Sequence, residues 1–167
     1  MEYFDLIKQR HSVRAYKPDP VEEEKLNKIL EAARLAPTAC NLQAFKILVI
    51  HTAGRQQEIS KIYGKEWFYK APVVLGICAI PGKAWSRSDG KNYGDIDAAI
   101  VMDHIILAAT DLGLGTCWIG AFNPAAAKEV LKLGDDMEPI AFTPIGYPET
   151  HDFKKVRKNL DELVIRK

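Results

Sequence analysis

The segment from Asp95 to Leu112 is the strongest constraint on how this chain folds. Its polar residues Asp97, His104 and Asp111 recur every seven positions, so on a helix they form one thin wet stripe. Apolar and small residues, from Ile96 through Leu107 to Ala109, supply the rest of the surface. Such a helix needs burial nearly all round, at a core or at a subunit interface. Gly113 stands where a left-handed cap would end it.

A chain of 167 residues fits a single domain, 1–167, burying about 70% of its unfolded surface. A hydrophobic content of 47% provides the core. The 23 basic and 22 acidic residues leave a net charge of +1, against the basic face that a nucleic-acid or anionic-membrane partner requires. Cys40, Cys78 and Cys117 lie far apart with no CxxC spacing, so neither zinc nor a disulfide framework is expected. His11, His51, His104 and His151 show no metal-ligand spacing. The acidic start, Met1 to Asp5, does not read as a signal peptide, and no apolar run is long enough to span a bilayer. A reducing, cytoplasmic setting is the expectation.

Tyr3, Phe4, Leu6 and Ile7 predict a short amphipathic helix ending near Arg10. The next helix is expected to start at Asp19 as cap, with Pro20 in the first turn and Glu22 completing a capping box. Leu26, Ile29, Leu30 and Ala33 are its apolar face, and Pro37 ends it. Phe45–Ile50 and Pro72–Ile80 read as buried strands, with a helix between them over Arg55–Tyr63. Thr116–Ile119, Ile140–Tyr147 and the tail Leu160–Ile165 read as further strands, and Pro124–Leu133 as a helix. Pro81–Gly94, rich in glycine, proline and hydroxyl residues around Trp85 and Tyr93, is expected to be a mobile loop and a lid. Helices and strands mix without a regular βαβ rhythm, which predicts an α+β fold.

Four places carry chemistry. Arg10, Ser12 and Arg14 put two guanidinium groups and a hydroxyl within five residues, either as a solvated helix end or as a phosphate clamp. Lys155 and Arg157, in the basic run Lys154–Lys158, can close the same clamp from the other end of the chain. Asn41 and Gln43, in a turn after Pro37, offer alternating amides of the kind that pair with the edge of a flavin ring, although Asn in a turn is also ordinary. Gly113–Gly120 is glycine-rich but precedes its strand, so it is no nucleotide fingerprint. It offers exposed backbone at Gly120, with Trp118 expected to be a packing residue. Cys117 lacks a sequence neighbour that would activate it.

In this order, R-H-S-V-R at Arg10, A-P-T-A-C-N-L-Q at Ala36, G-L-G-T-C-W-I-G at Gly113 and P-I-G-Y-P at Pro144 resemble the nitroreductase-like FMN-dependent oxidoreductases. The resemblance runs from Arg10 to Lys155-Val156-Arg157. It implies a central, mixed but mostly antiparallel sheet flanked by helices, in an intertwined homodimer with FMN at the subunit interface. By the same resemblance, Arg10, His11 and Ser12 contact the phosphate and ribityl chain, Lys155 and Arg157 hold the phosphate, and Arg14 lies near the pyrimidine ring. Pro37, Thr38, Ala39 and Asn41 line the flavin from the partner subunit. The backbone of Ile119 and Gly120 faces the hydride-accepting nitrogen. A second flavin-contacting lysine would be Lys65 or Lys70. Ala44-Phe45 replaces the Pro-Trp common in the family.

The implied activity is a ping-pong transfer of hydride from NADH or NADPH, through FMN, to a small acceptor such as a quinone or nitroaromatic. No side-chain acid or base is expected, and no metal. Two other readings stay open: a flavin store or sensor without turnover, and a relative that degrades flavin or removes halogens.

Overall fold

The computed structural model describes residues 1–150 and 152–167; His151 lies outside the described residues. Four strands form one sheet in the order β1-β2-β4-β3: β1 Phe45–His51, β2 Val73–Ala79, β4 Glu138–Gly146 and β3 Gly115–Thr116. All three strand pairings are antiparallel, and a single parallel bridge joins Ser12 to Thr116. The helices are α1 Tyr3–Gln9, α2 Glu23–Arg34, α3 Gln56–Ile59, α4 Glu66–Tyr69, α5 Gly94–Asp111 and α6 Pro124–Leu131.

β2 is buried along its whole length and alternates between two cores, as a strand covered on both faces must. Val73, Leu75 and Ile77 join Leu26, Ile29 and Ala33 of α2 and Val101, Met102 and Ile105 of α5 on one face. Val74 and Cys78 face the other side, where Val74 packs with Ile59, Phe68, Ala127 and Phe142. β1 was expected to be buried but is an edge strand, and only Ile50 in it is fully buried.

α5 ends as its glycine predicts. Gly113 has φ +78°, its amide donates to Thr110, and the Leu114 amide reaches back to Ala109. The wet stripe is less uniform than the seven-residue spacing suggests. Asp97 is buried, His104 is half-buried and Asp111 is exposed, while exposed Asp103 widens the stripe beside His104. Leu107 and Ala108 are half-buried and line a groove of about 500 Å³ with Met1, Tyr3, Leu6 and Ala32 and with the polar Asp103, His104 and Asp111. This side of α5 is only partly covered by the described residues of the chain.

Several boundaries differ from expectation. α2 begins after Glu22, not after Asp19, because Glu22 is extended and its carboxylate accepts from the Tyr147 hydroxyl at 2.7 Å. The stretch Arg55–Tyr63 is helical only at α3, and α4 follows it. The tail over Leu160–Ile165 is not a strand: it holds one tight turn at Leu160–Glu162, and Leu160, Leu163 and Ile165 are exposed. The segment Pro81–Gly94, expected to be a mobile loop, folds back on itself. The Arg87 amide donates to Lys91, Tyr93 to Trp85, and the Trp85 and Tyr93 rings meet edge to face at 4.8 Å.

The expected strand Thr116–Ile119 is interrupted for a covalent reason. Phe142 exchanges both backbone bonds with Ile119, so Pro144, two residues on, also turns its backbone toward β3. Proline has no N–H, and the ladder fails there. The Thr143 hydroxyl bridges the gap, accepting from the Cys117 amide at 3.1 Å and donating to the Pro144 carbonyl at 3.2 Å. Thr143→Val leaves that buried amide unpaired and is expected to lower stability by about 1–3 kcal/mol, with Thr143→Ser losing less than half as much. Urea unfolding of both variants measures this, and equal losses would contradict the bridging role.

Candidate functional site

Chain entry and chain exit converge beside the C-terminal half of α5. After α1 the chain runs extended and lies against β3, with the Val13 amide donating to the Thr116 carbonyl at 2.8 Å. Gly115 permits this approach, since a Cβ there would stand 2.9 Å from a Val13 methyl. Val13 is buried, and the alternation of an extended chain turns its neighbours Ser12 and Arg14 outward.

Arg10, His11, Ser12 and Arg14 meet Phe153, Lys154, Lys155 and Arg157 around a cavity of about 270 Å³. Five of these side chains are cationic and none is acidic. Among the described residues, no carboxylate forms an ion pair with any of the five. Lys155 donates to the carbonyls of Ile7 and Arg10, both at 2.6 Å, and so ties the tail to the end of α1. That use leaves one of its three protons for a ligand. Partial burial, then the nearby Arg10 and Arg157 guanidinium groups, push the Lys155 ammonium below its usual pKa. His11 stacks on Phe153 with ring centroids 3.9 Å apart.

Arg10 and Ser12 also border a second cavity of about 220 Å³, lined further by Asp103, Ile106, Thr116, Cys117 and Trp118. Trp118 was expected to be a packing residue; it is 41% exposed at this cavity, because its neighbours Cys117 and Ile119 turn into the core and alternation sends it outward. Cys117 is buried and its thiol is pushed up by burial, so it is no activated nucleophile. Beyond it, both backbone groups of Ile119 are engaged by Phe142. The Gly120 amide has no partner among the described residues, and the space above its Cα is open.

The turn carrying Pro37, Thr38, Ala39 and Asn41 lies elsewhere. It follows α2 and is held by the first turn of α5, where Asp97 Oδ1 accepts from the Ala39 amide at 2.9 Å. Cys40, Asn41 and Gln43 have φ of 51°, 54° and 51°, a left-handed run without glycine. The two amides foreseen as a paired recognition edge bond each other, Gln43 Nε2 donating to Asn41 Oδ1 at 3.2 Å. None of these residues lines the cavities around Arg10. Lys65 is exposed and Lys70 pairs with Glu66, and neither lines those cavities.

Phe153 and Asp97 were not foreseen as site residues. The aromatic ring next to the tail's basic run was a readable signal for Phe153. Asp97 was visible as part of the polar stripe of a largely apolar helix, but its partner was not. Among the described residues, no group of three or more His, Cys, Asp or Glu side chains is placed to hold a metal ion, and no helix is long and apolar enough to cross a membrane.

A cationic, aromatic-walled cavity on an α+β fold defines a class, and the sequence identifies the family. Residues 7–65 and 53–147 match the Nitroreductase family. The chain is 31% identical over 173 residues to the FMN reductase (NAD(P)H) of Bacillus subtilis, covering 93% of this chain and 70% of that protein. It is 26% identical to an NADPH-dependent oxidoreductase of Staphylococcus epidermidis, covering 89% of this chain and 66% of that one. It therefore spans only 66 to 70% of the length of these two relatives. A nitroreductase family protein from Clostridium difficile superposes with a TM-score of 0.87 at 39% identity, covering 99% of this chain and 98% of that one. Another from Clostridium novyi gives 0.84 at 35% identity, covering 89% and 86%. This chain belongs to the nitroreductase family.

The lowered Lys155 pKa carries a sign that phosphate reverses. A dianion in the cavity favours the ammonium form, so bound phosphate raises that pKa, and phosphate affinity falls as pH rises through it. Titration of the Lys155 side chain by NMR, with and without phosphate, is expected to show the upward shift. An unchanged titration would contradict the clamp geometry.

Proposed function

We propose that this chain is an FMN-dependent NAD(P)H oxidoreductase that works in two half-reactions on a small electron acceptor. The observation that carries this reading is the acid-free cavity where Arg10, Arg14, Lys155 and Arg157 converge from the two ends of the chain. Unpaired cations held together by the fold are costly alone and favourable around a phosphate. The cavity's size, its fork-shaped donors and the Ser12 hydroxyl fit the phosphate and adjoining hydroxyls of FMN. The family membership and the similarity to the FMN reductase of Bacillus subtilis support the same cofactor.

Arg10, Lys155 and Arg157 hold the phosphate, with His11 and Phe153 walling it. Ser12 donates to the ribityl chain. Arg14 places a positive charge near the pyrimidine edge, where it favours the reduced, more negative flavin. The Gly120 amide, which has no partner among the described residues, is the backbone donor presented to the ring, while Ile119, whose two backbone groups are held by Phe142, positions it. FMN, when bound, supplies the redox chemistry, accepting a hydride from NADH or NADPH and passing the electrons on. Quinones and nitroaromatics, flat and electron-poor, are the acceptors such a site takes.

Pro37, Thr38, Ala39 and Asn41 line the flavin from a second copy of the chain. The partly open side of α5 and the exposed apolar tail support a homodimer, since both need a partner surface. Localisation in the cytoplasm suits a reduced nicotinamide donor and free thiols.

Visible spectra of the protein with FMN, before and after anaerobic NADH or NADPH, test the activity. Bleaching of a bound flavin is expected; a bound flavin that stays oxidised would favour a store or sensor. Arg10→Ala and Arg157→Ala are each expected to weaken FMN binding by about 1–3 kcal/mol, read from the dissociation constant. Wild-type affinity in either variant would remove that arginine from the clamp.

A further inference from the structure

The turn from Thr38 to Gln43 is bound to α5 by one side chain. Asp97 Oδ1 accepts from the Ala39 amide at 2.9 Å. Among the described residues, the turn's other hydrogen bonds are local. The Asn41 amide donates to the Thr38 carbonyl, Leu42 to Ala39, and Gln43 to Thr38 Oγ1 at 3.1 Å. The next tie, from the Ile80 amide to the Ala44 carbonyl, comes only where the chain enters the sheet.

This turn needs an external hold. Three non-glycine residues in four, Cys40, Asn41 and Gln43, have left-handed φ, a conformation that persists only when its surroundings over-determine it. Asp97 is an expensive way to provide the hold. It is 2% exposed, and its Oδ2 is buried with no hydrogen-bond partner among the described residues. A carboxylate buried with half its acceptor capacity unused opposes folding. An aliphatic residue there would avoid that cost and release the turn.

We propose that Asp97 is a positioning residue for the cofactor: through Ala39 it fixes the Pro37–Asn41 turn in the shape that lines the flavin held by the second subunit. The proposal rests on the FMN reading above. It assigns to a residue remote from the phosphate clamp the alignment of the other half of the site.

Two variants remove the bond from opposite sides. Asp97→Val removes the acceptor. Ala39→Pro removes the donor at the first position of a tight helical turn, after an extended Thr38 (φ −132°, ψ 157°), where proline is tolerated. Asp97→Asn keeps an acceptor oxygen for the Ala39 amide, removes the charge and places an NH2 at the unpartnered Oδ2 position. FMN affinity is read on each full chain by quenching of flavin fluorescence, beside the unfolding temperature without cofactor.

Asp97→Asn is expected to bind within about threefold of wild type, whereas Asp97→Val and Ala39→Pro bind about tenfold more weakly or worse. Ala39→Pro leaves the buried Asp97 carboxylate without a donor and is expected to lower the unfolding temperature, as Asp97→Val does, so affinities are compared at a temperature where the circular-dichroism spectrum shows each variant folded. Wild-type affinity in folded Ala39→Pro overturns the proposal, as does an Asp97→Asn variant as weak as Asp97→Val. A folded wild-type chain that binds no FMN would instead overturn the flavoprotein reading and this proposal with it.

Discussion

The fold is arranged along α5, a helix that the chain buries on one side and leaves partly open on the other. Its 18 residues span about 27 Å at the usual rise. One side packs against α2 and the sheet and makes the larger core. The other side stays partly open along the groove at Leu107 and Ala108. The helix also separates two chemical elements: Asp97 in its first turn holds the Ala39 turn, and Ile106 and Thr110 in its second half line the cavities near Arg10 and His11.

Both elements are poorly compensated within one chain. On one side, five cations gather without a carboxylate among the described residues, and Lys155 is pushed toward its neutral form by burial and by Arg10 and Arg157. On the other, a left-handed turn leans on a carboxylate that is itself half unsatisfied. Each feature costs folding free energy, and under the proposed function each is offset when FMN binds between two subunits. The glycines at the site serve close approach: Gly115 lets the Arg10–Arg14 segment dock on β3, and Gly120 leaves its amide open.

The sequence was most informative where one periodicity dominates. α5, β2 and the Gly113 cap were readable because a continuous apolar run or a capping glycine has few competing interpretations. The Arg10 and Lys155 clusters were readable as candidates from charge and spacing, although their convergence across most of the chain is a tertiary fact. The start of α2 was misplaced because Tyr147, distant in sequence, recruits Glu22 and holds it extended. β3 was drawn too long because the missing N–H of Pro144 acts on the neighbouring strand and not on its own. The tail read as a strand from its apolar residues, but no strand of the same chain pairs with it. Asp97 stood out as a polar residue in an apolar helix, but its role could not be read, since it depends on which amide the fold brings to it.

A mixing experiment tests most directly whether the site is divided between two subunits. One variant carries Arg10→Ala and Arg157→Ala and so lacks the clamp; the other carries Asn41→Ala and Ala39→Pro and so lacks the turn. Neither should bind FMN well alone. Unfolded together and refolded as a mixture, they form heterodimers in which an intact clamp faces an intact turn, so tight FMN binding should reappear at one site per heterodimer. If mixed and separate preparations bind FMN equally poorly although heterodimers have formed, clamp and turn do not serve one flavin across a subunit interface.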